Sequence, residues 1–310
     1  MTQLPILSLA QPADEFAQAI GKSFQQTGFA LVTDHGLDPD LVSRGWAMTQ
    51  AFFAQDEAEK RLYADKVVGN QRGYIPFGRE IAKDAKVHDL KEFWHVGRDV
   101  APNDPDAATM PPNIWPDAPQ GFRETLSALY AALDQVGATI LSRIALYLGL
   151  ADDWFDGAIH NGNSILRLLH YPPIIDAPEG AIRAGAHEDI NLITLLLGAE
   201  EAGLQLLTRE NEWIDASPPE GALVINVGDM LQRLTNHHLP STTHRVINPA
   251  SERSRHSRYS MPFFLHLRSD FPIKTLDQCI SADNPNRYPE PILADDYLHE
   301  RLVEIGLIKA

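Results

Sequence analysis

The second half of the chain is a succession of short apolar runs. From "SILRLLHYPP" onward come "GAHEDINLITLLL", "GLQLLTR", "EWIDA", "GALVINVGD", "THRVINP" and "SRYSMPFFLHL". Gly, Pro, Asn and Asp stand between them, residues that bend or end a strand by steric freedom or local hydrogen bonding. Such spacing specifies many antiparallel strands in a sandwich or barrel. There is no βαβ alternation and no glycine-rich phosphate loop, so a doubly wound nucleotide fold is not indicated.

The first half reads mainly as helix. "ADEFAQAIGKSFQQTG" has apolar residues at helical spacing and stops at Gly28, a C-cap candidate. "FALVTDHG" reads as a short strand, and "DPDLVSRGWAMTQAFFAQ" as a helix with Asp38 or Asp40 at its start. "GNQRGYIPFG" reads as a loop, and "PNDPDAATMPPNIWPDAPQG" as a proline-rich surface connection. The longest amphipathic segment, Phe122 to Leu150, is the natural backing helix for a sheet. The tail is a proline-rich loop and then a helix from about Ala294.

With 310 residues, 44% of them hydrophobic, the chain can bury one substantial core. A net charge of -16 disfavours a nucleic-acid surface, which needs clustered Lys and Arg. The single cysteine, Cys279, excludes an internal disulfide framework and a multi-cysteine metal site, and suits a reducing, cytoplasmic setting. The start carries no basic segment followed by a long apolar one, so no secretory signal is expected. The longest apolar runs are too short to span a bilayer, so no membrane partner is expected.

Chemistry concentrates in "RAGAHEDINLITLLLG". Alternate side chains of a strand share a face, so His187 and Asp189 look one way and Glu188 the other. A third ligand would complete two imidazoles and a carboxylate, the facial set that selects non-haem iron(II) and leaves coordination positions open. His244 in "STTHRV" is a candidate, and His170, His237, His238, His256 and His266 compete with it. Against this stands chance, because a lone H-x-D is common.

Arg258 and Ser260 in "SRYSM" also share a strand face. A guanidinium fork with one hydroxyl can bind a carboxylate bidentately with a further hydrogen bond. An arginine aimed into an apolar barrel is costly unless an anion meets it. The bland alternative is a surface arginine beside a capping serine.

Taken together, "GFALVTDHG", "RGYIPFGRE", "DLKEFWHVG", "HEDINLITLL", "GLQLL", "VINVGDMLQRLTN", "STTHRVINP" and "RYSMPFF" resemble the iron(II)- and 2-oxoglutarate-dependent oxygenases of the isopenicillin N synthase-like superfamily, especially bacterial members. The likeness covers nearly the whole chain. It implies a mainly β fold with flanking helices, a distorted double-stranded β-helix or jelly-roll core. Residues 1–120 would be the helical N-terminal region, 121–270 the backing helix and catalytic core, and 271–310 a C-terminal loop and helix.

On this resemblance His187, Asp189 and His244 match the iron ligands, and Arg258 with Ser260 match the pair that grips the distal carboxylate of 2-oxoglutarate. Tyr171 in "HYPP" matches a tyrosine that hydrogen-bonds the co-substrate, and Asn226 in "VINVGD" is a candidate lining residue of that pocket. Tyr74, Phe93 and Trp94 are the substrate-contact candidates. Many members carry threonine where this chain has Glu188, which should face away from the metal. The implied activity uses Fe(II), 2-oxoglutarate and O2 to oxidise a C–H bond of a small-molecule substrate, by hydroxylation, desaturation or ring closure, releasing succinate and CO2. The alternatives are a ring-forming iron oxidase that needs no 2-oxoglutarate, and a degenerate jelly-roll binding module. Substrate identity and oligomeric state are not written in these motifs.

Overall fold

In the computed structural model, residues 4–66, 71–79, 88–101, 103–108, 110–174, 182–198, 203–248 and 253–304 are described. The N-terminal part holds β1 (Ile6–Ser8), α1 (Ala13–Thr27), β2 (Phe29–Thr33), α2 (Pro39–Phe53) and α3 (Glu57–Arg61), then β3 (Gly73–Ile75) and β4 (Glu92–Gly97). A long helix α4 (Phe122–Tyr147) and a short α5 (Asp156–Ile159) lead into β5 (Ile165–Tyr171), β6 (Ala184–His187), β7 (Ile193–Leu197) and β8 (Leu204–Leu207). There follow β9 (Trp213–Asp215), β10 (Leu223–Val227), α6 (Asp229–Leu234), β11 (His244–Val246) and β12 (Arg258–Leu265). The hairpin strands β13 (Pro272–Ile273) and β14 (Ile292–Leu293) precede the last described helix, α7 (Ala294–Glu304).

Local chemistry sets the ends of the early helices. Gly28 closes α1 in the left-handed conformation, φ 70°, with its N–H donating to the Phe24 carbonyl at 2.8 Å. Asp38 opens α2: its carboxylate accepts from the Asp40 N–H at 2.9 Å, and Pro39 occupies the first turn, where no intrahelical N–H is needed.

Eight strands form the larger sheet in the order β1-β2-β10-β7-β12-β5-β4-β3, and four form the smaller in the order β6-β11-β8-β9. Only the β1–β2 pair of the larger sheet is parallel. Two buried apolar clusters follow from strand alternation. Leu166, Leu168, Leu195, Leu223, Ile225, Phe263 and Leu265 face the helical layer of α1, α2 and α4. Phe29, Leu31, Phe93, Leu169, Tyr171 and Val224 face the smaller sheet, with Leu204, Leu206 and Val246 opposite. This is the jelly-roll fold with flanking helices.

The N-terminal region is less helical than its sequence suggests. It supplies four strands to the larger sheet, and "RGYIP", read as loop, contains β3. β4 pairs with β5, more than 60 residues away, and that distant partner rather than local propensity makes it a strand. Part of "GNQRGYIPFG" (Gly69 and Asn70) and the end of the C-terminal tail (305–310) lie outside the described residues.

Behind the larger sheet runs a buried polar seam. Glu92 accepts from Lys60 Nζ at 2.8 Å and from the Tyr74 hydroxyl, and meets His170 Nδ1 at 2.6 Å. His170 Nε2 reaches Ser257 Oγ at 2.9 Å, and its ring stacks on Tyr259 at 4.7 Å. The seam ties α3 to β4, β5 and β12. Among the described residues no helix is long and apolar enough to cross a membrane.

Candidate metal centre and co-substrate wall

His187 ends β6, His244 begins β11, and the two are paired residues of the smaller sheet. Asp189 lies two positions past the strand end. One ligand atom from each residue falls within 4.8 Å of the others. Both imidazole Nε2 atoms stand 3.9 Å from the same oxygen, Asp189 Oδ1. The ring centroids of the histidines are 4.4 Å apart, and Phe29 packs edge-on against His244 at 5.6 Å.

The supporting hydrogen bonds decide which atoms are presented. His187 Nδ1 donates to the Gly185 carbonyl at 2.7 Å, and His244 Nδ1 to the Thr242 carbonyl at 3.1 Å. Each contact fixes the proton on Nδ1 and leaves the Nε2 lone pair for a metal. Burial pushes the His187 pKa down to about 4, helped by the nearby His244 and opposed by Asp189. The imidazole is therefore neutral and ready to ligate at pH 7. Burial would raise the Asp189 pKa, but His244, His187 and hydrogen bonds from Asn226 and Thr194 carry it below the usual carboxylate range. Two imidazoles presenting Nε2 and one ionised carboxylate converging on a point fit iron(II).

Gly185 itself is pinned. Its N–H donates to Asp89 Oδ1 at 3.1 Å, while Asp89 Oδ2 pairs with Lys91 Nζ at 2.9 Å. Glu188 turns from the metal, as alternation requires, and accepts from the Thr243 hydroxyl at 3.0 Å. On that side the N–H of Asp229 donates to the Asp189 carbonyl at 2.7 Å, and its buried carboxylate meets Arg301 of α7 at 3.0 Å. Burial raises the Asp229 pKa to about 6 against the pull of Arg301.

The inner wall of the larger sheet carries the other candidates. Arg258 is paired with Tyr171, and Ser260 with Leu169. Both Arg258 and Ser260 are buried, and the Arg258 guanidinium lies 5.0 Å from the Tyr171 ring centroid. A second buried arginine, Arg183, approaches the same ring at 5.9 Å. Asn226 is on this wall too, but its amide N–H is directed to Asp189 Oδ2 at 2.8 Å, so it supports a metal ligand.

The three substrate-contact candidates separate. Phe93 pairs with Leu169 and faces the barrel interior. Tyr74 and Trp94 face the helical layer: Tyr74 bonds Glu92, and Trp94 packs on Phe52 at 4.7 Å and Phe122 at 5.4 Å. The structure thus puts them on the face of the sheet opposite Phe93. His170 is committed to the seam on that same side, His237 bonds Tyr288 at 2.6 Å, and neither approaches the triad as a ligand.

Sequence reasoning missed Thr194, whose hydroxyl donates to Asp189 Oδ2 at 2.6 Å. It missed Arg167 and His95, which meet on the inner wall at 2.7 Å, and the Asp89–Lys91 pair. The available signal was alternation, since Arg167, Leu169 and Tyr171 share a face.

Comparison with known proteins agrees with this geometry. The model of the 2OG-Fe(II) oxygenase superfamily matches residues 162–267, and that of the "non-haem dioxygenase in morphine synthesis N-terminal" family matches residues 4–118. The 2-oxoglutarate-Fe(II) type oxidoreductase hxnY of Emericella nidulans is 33% identical over 293 residues, covering 91% of this chain and 82% of that protein. A 2OG-Fe(II) oxygenase family protein of Caulobacter crescentus is 50% identical, with TM-score 0.92 and coverage of 99% and 100%. A full-length Neurospora crassa protein, solved in complex with alpha-KG and thymine, is 28% identical, with TM-score 0.85 and coverage of 97% and 96%. The chain belongs to the 2OG-Fe(II) oxygenase superfamily. It is an Fe(II)- and 2-oxoglutarate-dependent oxygenase acting on a small organic substrate, with His187, Asp189 and His244 as its facial triad.

Proposed function

We propose that the reaction is hydroxylation of a substrate C–H bond, and that Arg258 and Ser260 hold the distal carboxylate of 2-oxoglutarate. The supporting observation is that these two buried side chains lie on the wall that faces the triad. Iron(II) held by the triad supplies the oxidising chemistry, in which substrate, 2-oxoglutarate and O2 give alcohol, succinate and CO2.

The protein's own residues do the positioning. The Arg258 fork and the Ser260 hydroxyl offer hydrogen bonds to one planar carboxylate, and Tyr171 buttresses the guanidinium from its ring face. The apolar side chains Leu169, Val224 and Leu206 exclude water around that anion, which strengthens its electrostatic hold. Asn226 and Thr194 keep Asp189 oriented, and the Gly185 and Thr242 carbonyls keep both imidazoles in the ligating tautomer.

The test is succinate formation by anaerobically iron-loaded protein given 2-oxoglutarate and then oxygen. Slow turnover without substrate is expected in the wild type and is lost in His187→Ala. Arg258→Ala keeps its iron but needs on the order of 100-fold more 2-oxoglutarate, as loss of a buried charge-assisted pair implies. An Arg258→Ala enzyme saturating at the wild-type 2-oxoglutarate concentration would overturn the assignment. Oxygen uptake without succinate would favour the ring-forming oxidase.

A further inference from the structure

The segment that carries the metal carboxylate is tied to α6 by main-chain hydrogen bonds. The Asp229 N–H donates to the Asp189 carbonyl at 2.7 Å, and the Met230 N–H to that of Ile190 at 3.2 Å. The Gly228 N–H reaches the Leu192 carbonyl at 2.8 Å. Asp189 therefore takes its backbone position from the start of a helix only six residues long. So short a helix holds its own shape weakly, because few internal hydrogen bonds offset the cost of ordering it.

What fixes the helix start comes from the last described helix, α7. The Asp229 side chain is buried, at 2% exposure, and the Arg301 guanidinium stands 3.0 Å from its Oδ2. A carboxylate at that depth is costly without a cation, so the pair binds the two helices together. α7 is seated by contacts of its own: the N–H groups of Ala294 and Asp295 donate to the Phe271 and Ser269 carbonyls at 2.9 and 3.0 Å. Glu188 and Asp189 add to the negative field at Asp229, and Arg301 is a cation set against that field. Its second acid partner, Glu304, lies one turn further along α7 and is exposed.

From this chain of contacts we propose that Arg301 is a positioning residue for the metal, holding Asp229 so that its N–H keeps Asp189 aimed at the two imidazoles. This role goes beyond the co-substrate reading and rests only on the triad being the metal site. Coulomb attraction by itself predicts the opposite sign. Removing a cation from the neighbourhood makes the site more negative and would tighten its hold on a divalent ion. A weaker hold after loss of Arg301 therefore reports lost positioning and not an altered field.

The test is Mn(II) titration of the apoprotein, followed by the paramagnetic resonance of the free ion. Arg301→Gln is expected to weaken Mn(II) binding about tenfold, with partial recovery in Arg301→Lys. Glu304→Gln should stay within about twofold of wild type, and so should 2-oxoglutarate affinity at saturating Mn(II) in every variant. Asp229→Asn combined with Arg301→Gln should also lose about tenfold and not about a hundredfold, since both changes remove one contact. Amide hydrogen exchange supplies a readout that general destabilisation does not move. In Arg301→Gln the Asp229 N–H should exchange faster relative to the Val227 N–H, which bonds the Gly28 carbonyl. If Arg301→Gln does not fold, the double variant carries both measurements, because it leaves neither charge of the pair buried alone. Mn(II) affinity equal to or tighter than wild type in the folded variants overturns the proposal, as does equal acceleration of the two amides. A wild type that binds no Mn(II) would overturn the triad reading first and this role with it.

Discussion

Asn226 donates its side-chain N–H to Asp189 Oδ2 at 2.8 Å. Thr194 takes the same oxygen at 2.6 Å, so the other oxygen, Oδ1, is the one that meets both imidazoles. The carboxylate is thereby made monodentate by its surroundings. Partners of this kind are worth about 10–100-fold in metal affinity. Asn226→Ala and Thr194→Val should each weaken Mn(II) binding by about that factor. Titration followed by the electron paramagnetic resonance of free Mn(II) measures it, and unchanged affinity in both would refute the role.

Glu188 is the opposite case. It sits between two metal ligands in sequence yet bonds Thr243 on the far side of the strand. Glu188→Thr should leave the metal dissociation constant within about twofold of wild type, since no direct contact to the metal is touched. A tenfold loss in the same titration would mean that the strand rotates its faces on metal binding.

Acid should destabilise the apoprotein through His266. Burial lowers its pKa from 6.5 to about 4, with Asp189 pulling the other way. Between those pH values the unfolded chain binds the proton and the folded one does not. Stability from this group is therefore full above pH 6.5 and is lost as pH falls toward 4, by roughly 3 kcal/mol. Chemical denaturation of metal-free wild type and His266→Asn across that range should show the flatter slope in the variant. Parallel slopes would place the acid sensitivity elsewhere.

Gly228 joins β10 to α6 where no side chain fits. A Cβ there would stand 2.2 Å from the Asn191 carbonyl oxygen, a backbone atom that cannot swing away. Gly228→Ala should cost roughly 2–3 kcal/mol and lower Tm by about 5–10 °C. Calorimetry showing an unchanged Tm would mean that the turn after Asp189 shifts freely.

The triad was legible because its chemistry and its geometry are both local: H-x-D is a two-residue period, and His244 sits in its own strand-like run. The jelly-roll was legible for the same reason, in the regular interruption of apolar runs. What stayed hidden depends on register. Phe93 and Trp94 are neighbours in sequence, and one of them must face the interior. Only the pairing of β4 with β5, Phe93 to Leu169 and Trp94 to Leu168, says which. Arg167 was invisible because its partner His95 is 72 residues away. Thr194 was hidden because a turn separates it from Asp189, so no strand period connects them. The hydrogen bond from Asn226 went unread for the same physical cause, a partner supplied by another strand.

The alternation of β4 and β5 has an evolutionary consequence. Glu92, Trp94, Leu168 and His170 tie the sheet to its helices, while Phe93, His95, Arg167 and Leu169 look into the cavity. The two sets therefore answer to different neighbours, the helices on one side and the smaller sheet on the other. A lineage can exchange the cavity set, one side chain at a time, with the scaffold intact behind it. Paralogues that share this sheet can thus diverge in diet before they diverge in shape.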